Sequence, residues 1–321
     1  MPKLVMMPPQ GGRTREWARR LTETCPEYEV AQPDTDEEAR AEIVDADAAF
    51  GVVPADALAV ADSLRWIQSP AAGPAAGYYY PELIAHPVEV CNPRGVYNDH
   101  IGQHVLMYTL ALARGLPYYM DAQRERRWDA RARKKGYVDL KTATALVVGV
   151  GGIGHEIARL SNAFGMRVVG VDPRWEYDPP DVERHSPDEL DDVLPDADFV
   201  LVATPHTPET GGMWNRARFQ LMKPSAYFVN IGRGLTTRLD DLVAALDADE
   251  IAGCALDVFE VEPLPPDHRL WTMENVILTP HIAVADAEDV GERTVELFLD
   301  NARRLSAGEP LRNVVDKTMW F

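Results

Sequence analysis

With 321 residues, 46% of them hydrophobic and 26% charged, the chain has the composition of a globular protein long enough for two separate cores. A formal charge of −19 argues against nucleic acid or an anionic membrane as partners, because long-range repulsion opposes both encounters. No apolar run is long enough to span a bilayer, and Cys25, Cys91 and Cys254 lie too far apart for a metal site, so no metal is expected. These cysteines are expected to be buried, reduced thiols of a cytoplasmic protein. Lysines are few while arginines and aspartates abound. Two readings stay open: a GC-rich genome, or an acidic surface that keeps the protein soluble in high salt.

In chain order, Lys3-Leu4-Val5-Met6-Met7 is predicted to be a first strand, too short for a signal-peptide core, so no export is expected. Strands are expected at Leu4 to Met7, Ala48 to Val52, Trp66 to Gln68 and Val88 to Cys91. Helices are expected at Glu16 to Leu21, Asp36 to Ile43 and Ala55 to Leu64, the last entered through Pro54. That alternation predicts an α/β layer with a parallel sheet. Ala71 to Gly77 is a loop of small residues after a strand; it either admits a ligand close to the backbone or is a plain turn.

Tyr97 to Arg114 reads as one long helix with Ile101, Val105, Tyr108 and Leu112 on a face. From Arg124 to Lys135 basic residues surround Trp128. Basic and aromatic residues interleaved in this way can bind RNA. Glu125 and Asp129 within the run favour instead a solvated segment that anchors Trp128 in a local core.

The chain then turns on the run Ala145 to Gly154. Leu146, Val147 and Val148 form a buried strand, and Ile153, Ile157, Leu160 and Phe164 recur at helical spacing. The turn between carries Gly-x-Gly-x-x-Gly at Gly149, Gly151 and Gly154. The first glycine permits the tight turn, the second lets backbone approach a pyrophosphate, and the third lets helix and strand pack closely. Asp172 closes the next strand, Arg167 to Val171, where an acidic side chain accepts hydrogen bonds from ribose hydroxyls. Asp172 favours NAD over NADP, because a 2′-phosphate meets a like charge, although Arg174 two residues on softens that preference.

Further strands are predicted at Phe199 to Val202, Tyr227 to Asn230, Ile251 to Leu256 and Val276 to Leu278. Helices are predicted at Glu189 to Leu194, Arg216 to Met222 and Leu239 to Leu246, with a last long one at Asp286 to Leu305. Ligands of parallel sheets gather beyond the carboxyl ends of strands. Four clusters sit there: Thr204-Pro205-His206-Thr207, Asn230-Ile231-Gly232-Arg233-Gly234, Asp257 through Pro263, and Thr279-Pro280-His281-Ile282. An arginine can grip a carboxylate with two parallel hydrogen bonds. A histidine moves protons near neutral pH, and a nearby carboxylate favours its charged form. Any one of these residues alone reads as a structural ion pair; their joint position favours chemistry.

The glycine turn with Asp172, the Asn230-Ile231-Gly232-Arg233-Gly234 stretch, Asp257-Val258-Phe259-Glu260-Val261-Glu262-Pro263-Leu264 and Thr279-Pro280-His281-Ile282-Ala283 together resemble the D-isomer-specific 2-hydroxyacid dehydrogenases, and in particular the short glyoxylate/hydroxypyruvate reductase-like form. The resemblance covers nearly the whole chain. It implies two Rossmann-like doubly wound domains, with a nucleotide-binding domain at 97–285 inserted into a flavodoxin-like substrate domain at 1–96 and 286–321. By that resemblance Arg233 binds the substrate carboxylate and polarises the keto oxygen, His281 is the acid/base, and Glu262 holds and tunes it. Backbone N–H groups at Ala72 and Gly73 receive the carboxylate. Gly149, Gly151, Gly152, Ile153, Gly154, Asp172, Thr204, Pro205, Thr210, Ile231, Asp257 and His281 line the cofactor, Asp257 at the nicotinamide carboxamide.

The implied reaction is NAD(P)H-dependent reduction of a small 2-keto acid to the D-2-hydroxy acid, and the implied assembly is a homodimer through the nucleotide domain. The alternative is a non-catalytic, NAD-binding, corepressor-like regulator, which the intact Arg–Glu–His set disfavours. Two departures bear on substrate identity. Gly73 is followed by Pro74-Ala75-Ala76 where the family has Gly-Val-Asp, and Gly102-Gln103-His104 replaces a common Ala-Glu-His.

Overall fold

Short apolar strands with alternating faces build both sheets of this protein, seen here in a computed structural model that describes residues 1–73, 77–130, 137–175, 177–179, 181–285 and 287–320. The chain divides into a first unit, Met1–Val96 with Ala287–Phe321, and a second, Tyr97–Asp286. In the first unit the elements run β1 (Lys3–Met6), α1 (Gly12–Thr24), β2 (Glu29–Ala31), α2 (Asp36–Glu42), β3 (Ala48–Phe50), α3 (Ala55–Leu58), β4 (Trp66–Gln68), α4 (Pro81–Ala85) and β5 (Glu89–Cys91). All strand pairs are parallel, in the order β2-β1-β3-β4-β5. Local chemistry sets the helix starts: Thr35 accepts from the Glu38 amide while the Glu38 carboxylate accepts from the Thr35 amide, a reciprocal cap on α2.

The second unit contributes α5 (Asn98–Ala113), α6 (Leu116–Arg124), β6 (Thr144–Val148), α7 (Gly152–Ala163), β7 (Arg167–Val171), β8 (Val182–His185), α8 (Leu190–Val193), β9 (Phe199–Val202), α9 (Arg216–Leu221), β10 (Tyr227–Asn230), α10 (Leu239–Asp247), β11 (Gly253–Leu256) and β12 (Val276–Leu278). Its seven parallel strands run β12-β11-β10-β9-β6-β7-β8. The order reverses between β6 and β9, the crevice where doubly wound sheets bind nucleotides. Period-two alternation sends Leu146, Val148, Val200 and Val202 to one core. Ala145, Val147, Phe199 and Leu201 go to the other, where α5 and α7 pack. Gly102 explains how those helices approach so closely, since a Cβ there would lie 2.7 Å from Glu156 Cγ.

The final helix, α11 (Glu288–Ala307), rejoins the first unit. Val295, Phe298, Leu299 and Ala302 cover Leu4, Met6, Phe50 and Trp66 on one sheet face. Val5, Ala49, Ile67 and Val90 fill the opposite one beneath α2 and α3. The Phe298 ring packs tilted against Phe50 with centroids 5.0 Å apart, and Tyr28 donates to the Ala302 carbonyl at 2.8 Å.

Several expectations are corrected. The Ala55 to Leu64 helix ends at Leu58, and the chain continues in turns bonded three residues apart. Leu58, Ala61 and Leu64 are buried at that spacing, and this mimicked a helical stripe. β2, β8, α4 and α6 were not predicted; the two strands are short sheet edges whose charged residues hide the alternation. Trp128 is 96% exposed rather than anchored in a core. Arg127 beside it pairs with Glu125 and Asp129. The loop residues Pro74 to Ala76, and the basic residues Arg131, Arg133, Lys134 and Lys135, lie outside the described residues.

Candidate active site

The glycine turn between β6 and α7 is built for close backbone approach. Gly149 has φ +91°, and a Cβ there would meet the Ala203 and Thr204 backbone at 2.9 Å. A Cβ on Gly154 would fall 1.9 Å from the Gly149 carbonyl oxygen, so no other residue fits. Around Gly151 a Cβ would meet nothing within 4 Å, which leaves room for a ligand over the start of α7. Gly151 caps that helix without a side-chain hydrogen bond, so its first-turn amides face outward with the positive end of the helix dipole. Asp172, just past β7, accepts from the Val150 amide at 2.7 Å and from the Arg174 amide at 2.7 Å, fixing the turn to the strand. Across the switch point the Thr204 hydroxyl is buried with no partner among the described residues. Narrow glycine turn, uncapped helix and orphaned hydroxyl fit a bound dinucleotide.

The loops beyond the strand ends are tied by their own side chains. After β9, Thr210 donates to the Pro205 carbonyl at 2.7 Å and accepts from the Thr207 amide at 2.7 Å. After β10, Asn230 accepts from Gly232 and donates to Thr236 and Thr237, folding the Arg233 loop. Ile231 is buried, its amide bonded to the Val202 carbonyl. A Cβ on Gly232 would lie 2.3 Å from the Thr204 carbonyl, and one on Gly234 would lie 1.8 Å from the Phe259 carbonyl, so both glycines let the loops pack together.

Three chemically able side chains meet there. His281 Nδ1 lies 2.8 Å from Glu262 Oε2, and Glu262 Oε1 accepts from the Phe259 amide at 2.9 Å. The carboxylate is thereby aimed at the ring from a fixed loop. Burial pulls the Arg233 guanidinium below the ordinary arginine value, while the charges of Glu262 and Tyr97 oppose the shift. Glu262 is thus hydrogen-bonded to the imidazole, and its charge also bears on the guanidinium. His281 itself has φ +54°, a left-handed conformation that side chains other than glycine rarely adopt. Its ring is half exposed.

Asp257 is 1% exposed and accepts three hydrogen bonds, from the amides of Ile282 (2.9 Å) and Ala283 (3.0 Å) and from the Thr279 hydroxyl (2.5 Å). It therefore grips the backbone on either side of His281. Thr279 in turn meets Tyr108 and, at 3.2 Å, His104 Nε2, both on α5. Sequence reasoning placed Tyr108 on the apolar face and noted His104 only within a stretch bearing on substrate identity; their i, i+4 spacing was the available signal. In the first unit, the small-residue loop is anchored by Asn92, which donates to the Ala72 carbonyl at 2.9 Å. Ala72 and Gly73 are half-buried.

A doubly wound sheet with a glycine turn and an Arg–Glu–His set beyond its strands defines a dinucleotide-dependent oxidoreductase. The sequence model described as "D-isomer specific 2-hydroxyacid dehydrogenase, NAD binding domain" matches residues 106–283. A glyoxylate reductase of Thermofilum pendens is 34% identical over 74% of this chain and 70% of its own length. Among solved structures, a probable 2-hydroxyacid dehydrogenase from Rhizobium etli, in complex with NADP, superposes with a TM-score of 0.83 at 26% identity, covering 100% of this chain and 99% of that one. An NADPH-dependent glyoxylate/hydroxypyruvate reductase from Sinorhizobium meliloti, in complex with NADP and sulfate, gives 0.82 at 25% identity with both chains fully covered. The chain belongs to the D-isomer-specific 2-hydroxyacid dehydrogenases. It is an NAD(P)-dependent enzyme interconverting 2-keto acids and D-2-hydroxy acids, and the regulator alternative is not favoured.

Proposed function

We propose that this enzyme reduces short 2-keto acids of the glyoxylate or hydroxypyruvate type, with Arg233, Glu262 and His281 as its catalytic set. Bound NAD(P)H supplies the hydride that reaches the substrate's C2. Arg233, planar and permanently charged, holds the carboxylate and polarises the keto oxygen, and its partial desolvation strengthens that grip. His281 gives its proton to the alkoxide as it forms, and Glu262 orients the ring and balances its charge. Backbone N–H groups of Ala72 and Gly73 add carboxylate donors. Gly149, Gly151, Gly152, Ile153 and Gly154 would hold the cofactor's phosphates, Asp172 its ribose, and Thr204, Pro205, Thr210, Ile231 and Asp257 would line the crevice around it. We assign residues 97–285 to cofactor binding, and 1–96 with 286–321 to substrate. The observation that carries this reading is His281 Nδ1 held 2.8 Å from a Glu262 carboxylate that the Phe259 amide fixes in place.

Two finer assignments accompany it. The three free cysteines are all buried, and burial pushes Cys91 up to about 12, as suits thiols kept reduced in cytoplasm. Met107, Leu116, Met120 and Trp271 line a groove of about 430 Å³ on the second unit, and a second copy of the chain is its proposed occupant.

The test is NADH and NADPH oxidation against a panel of 2-keto acids of increasing size, with product chirality. Arg233→Ala and His281→Ala are each expected to lose about 10²- to 10⁴-fold in kcat. NADH titration of either variant should still saturate. Near-wild-type turnover in either removes the assigned role. His281 must be charged for reduction and neutral for oxidation, so the two directions should show opposite pH preferences.

A further inference from the structure

His281 is held in a left-handed conformation, and something must supply that restraint. Its own amide donates to the Thr279 carbonyl at 3.1 Å, and the next two amides, of Ile282 and Ala283, are gripped by Asp257. Asp257 is almost fully buried, and besides those amides its Oδ1 takes a hydrogen bond from the Thr279 hydroxyl, with His104 Nε2 3.8 Å from the same oxygen, beyond hydrogen-bond reach. A hydroxyl carries one proton, and Thr279 gives it to the carboxylate, which can only accept. Every other contact of that oxygen must then be a donor. Tyr108 OH and His104 Nε2 are the two that reach it, from one turn of α5, with their rings 4.6 Å apart edge to face.

We propose that His104 is a positioning residue: as an Nε2–H donor it sets the direction of the Thr279 hydroxyl, which fixes Asp257 and through it the backbone that presents His281. Proton order runs from His104 to Thr279, then to Asp257, with the single Tyr108 proton shared between Thr279 and the Leu256 carbonyl at 3.3 Å, and it fails if the ring donates from Nδ1 alone. Burial lowers the affinity of His104 for a second proton against the opposing charge of Asp257, which agrees with a neutral ring. The arrangement links residues 175 positions apart, yet it lies within the second unit. It builds on the acid/base role proposed for His281.

His104→Phe keeps a flat ring and removes the donor; His104→Gln restores an N–H near Nε2. His104→Phe should lower kcat about five- to tenfold, the worth of one buried hydrogen bond, with KM for NADH within about twofold of wild type. His104→Gln should recover most of that loss. Thr279→Val should lose at least as much, Thr279→Ser little. Adding His104→Phe to Thr279→Val should cost nothing more. Wild-type kcat in His104→Phe, or His104→Gln no better than Phe with both equally folded by thermal melt, overturns the proposal. So does full additivity with Thr279→Val. If His104→Phe does not fold, the Thr279 Val/Ser pair decides: equal turnover in the two overturns it. His281→Ala in the same assay separates the two ideas. If it retains turnover, the acid/base reading falls; if it is inactive while His104→Phe is normal, only the positioning role falls.

Discussion

Gly154 shows how little latitude single residues have here. A methyl group there would sit 1.9 Å from a backbone oxygen, a contact no side-chain rotation relieves. Gly154→Ala should therefore force the turn apart, costing about 1–3 kcal/mol of stability and weakening NADH binding, readable by denaturant melt and fluorescence titration. Unchanged affinity would show that the turn does not shape the cofactor site. Asp172 does two jobs, since it bonds the Val150 and Arg174 amides and lies where ribose is expected. Asp172→Ala should lower kcat/KM with both cofactors, because the turn loses its tie. Yet the NADPH-to-NADH ratio should rise about tenfold or more once a like charge near the 2′-phosphate is gone. A ratio that stays level would mean that Asp172 does not select the cofactor.

Edge strands were the elements hardest to read and are also the most conditional. β8 closes the second sheet, and its His185 carbonyl accepts from the Asp172 amide at 3.2 Å. The His185 ring lies 3.0 Å from Glu183 and 3.3 Å from Glu189, and the Glu183 hydrogen bond, ahead of Glu189, raises its affinity for a proton. The folded state then binds more protons than the unfolded one just above the ordinary histidine range. This contribution is complete below that range and is lost as pH rises through the raised value. His185→Gln should flatten that part of the stability profile, measured by urea midpoints at stepped pH; an unchanged slope would remove His185 as its source. The central strands β6, β7, β9 and β10 were legible to within two residues because both faces are buried and their runs are largely apolar. β2 and β8 carry Glu29, Glu183 and Arg184 at an exposed edge, so local composition there reads as loop.

At the scale of the molecule, the excess of nineteen negative charges must be carried by the surface, since among the described residues Asp257 is the only buried carboxylate side chain. Exposed pairs such as Arg15–Asp34 and Arg269–Asp247 each offset little, typically under about 1 kcal/mol. The residual self-repulsion is screened as the Debye length shrinks from about 10 Å at 0.1 M salt to about 3 Å at 1 M. Melting temperature and activity should both rise from 0.1 to above 1 M KCl if the acidic surface is an adaptation to salt. A fall in both leaves the genome-composition reading.

Sequence alone determined the alternation of strands and helices and the glycine turn, and it singled out Arg233, Glu262 and His281 as candidates, because these depend on short-range periodicity and on motifs a few residues long. Only the tertiary structure decided that Trp128 stands in solvent, that His281 takes a left-handed backbone, and that Asp257 is a buried anchor reached through Thr279 from α5. The physical reason is that hydrogen-bond direction and burial are properties of neighbours in space, and those neighbours are far apart along the chain.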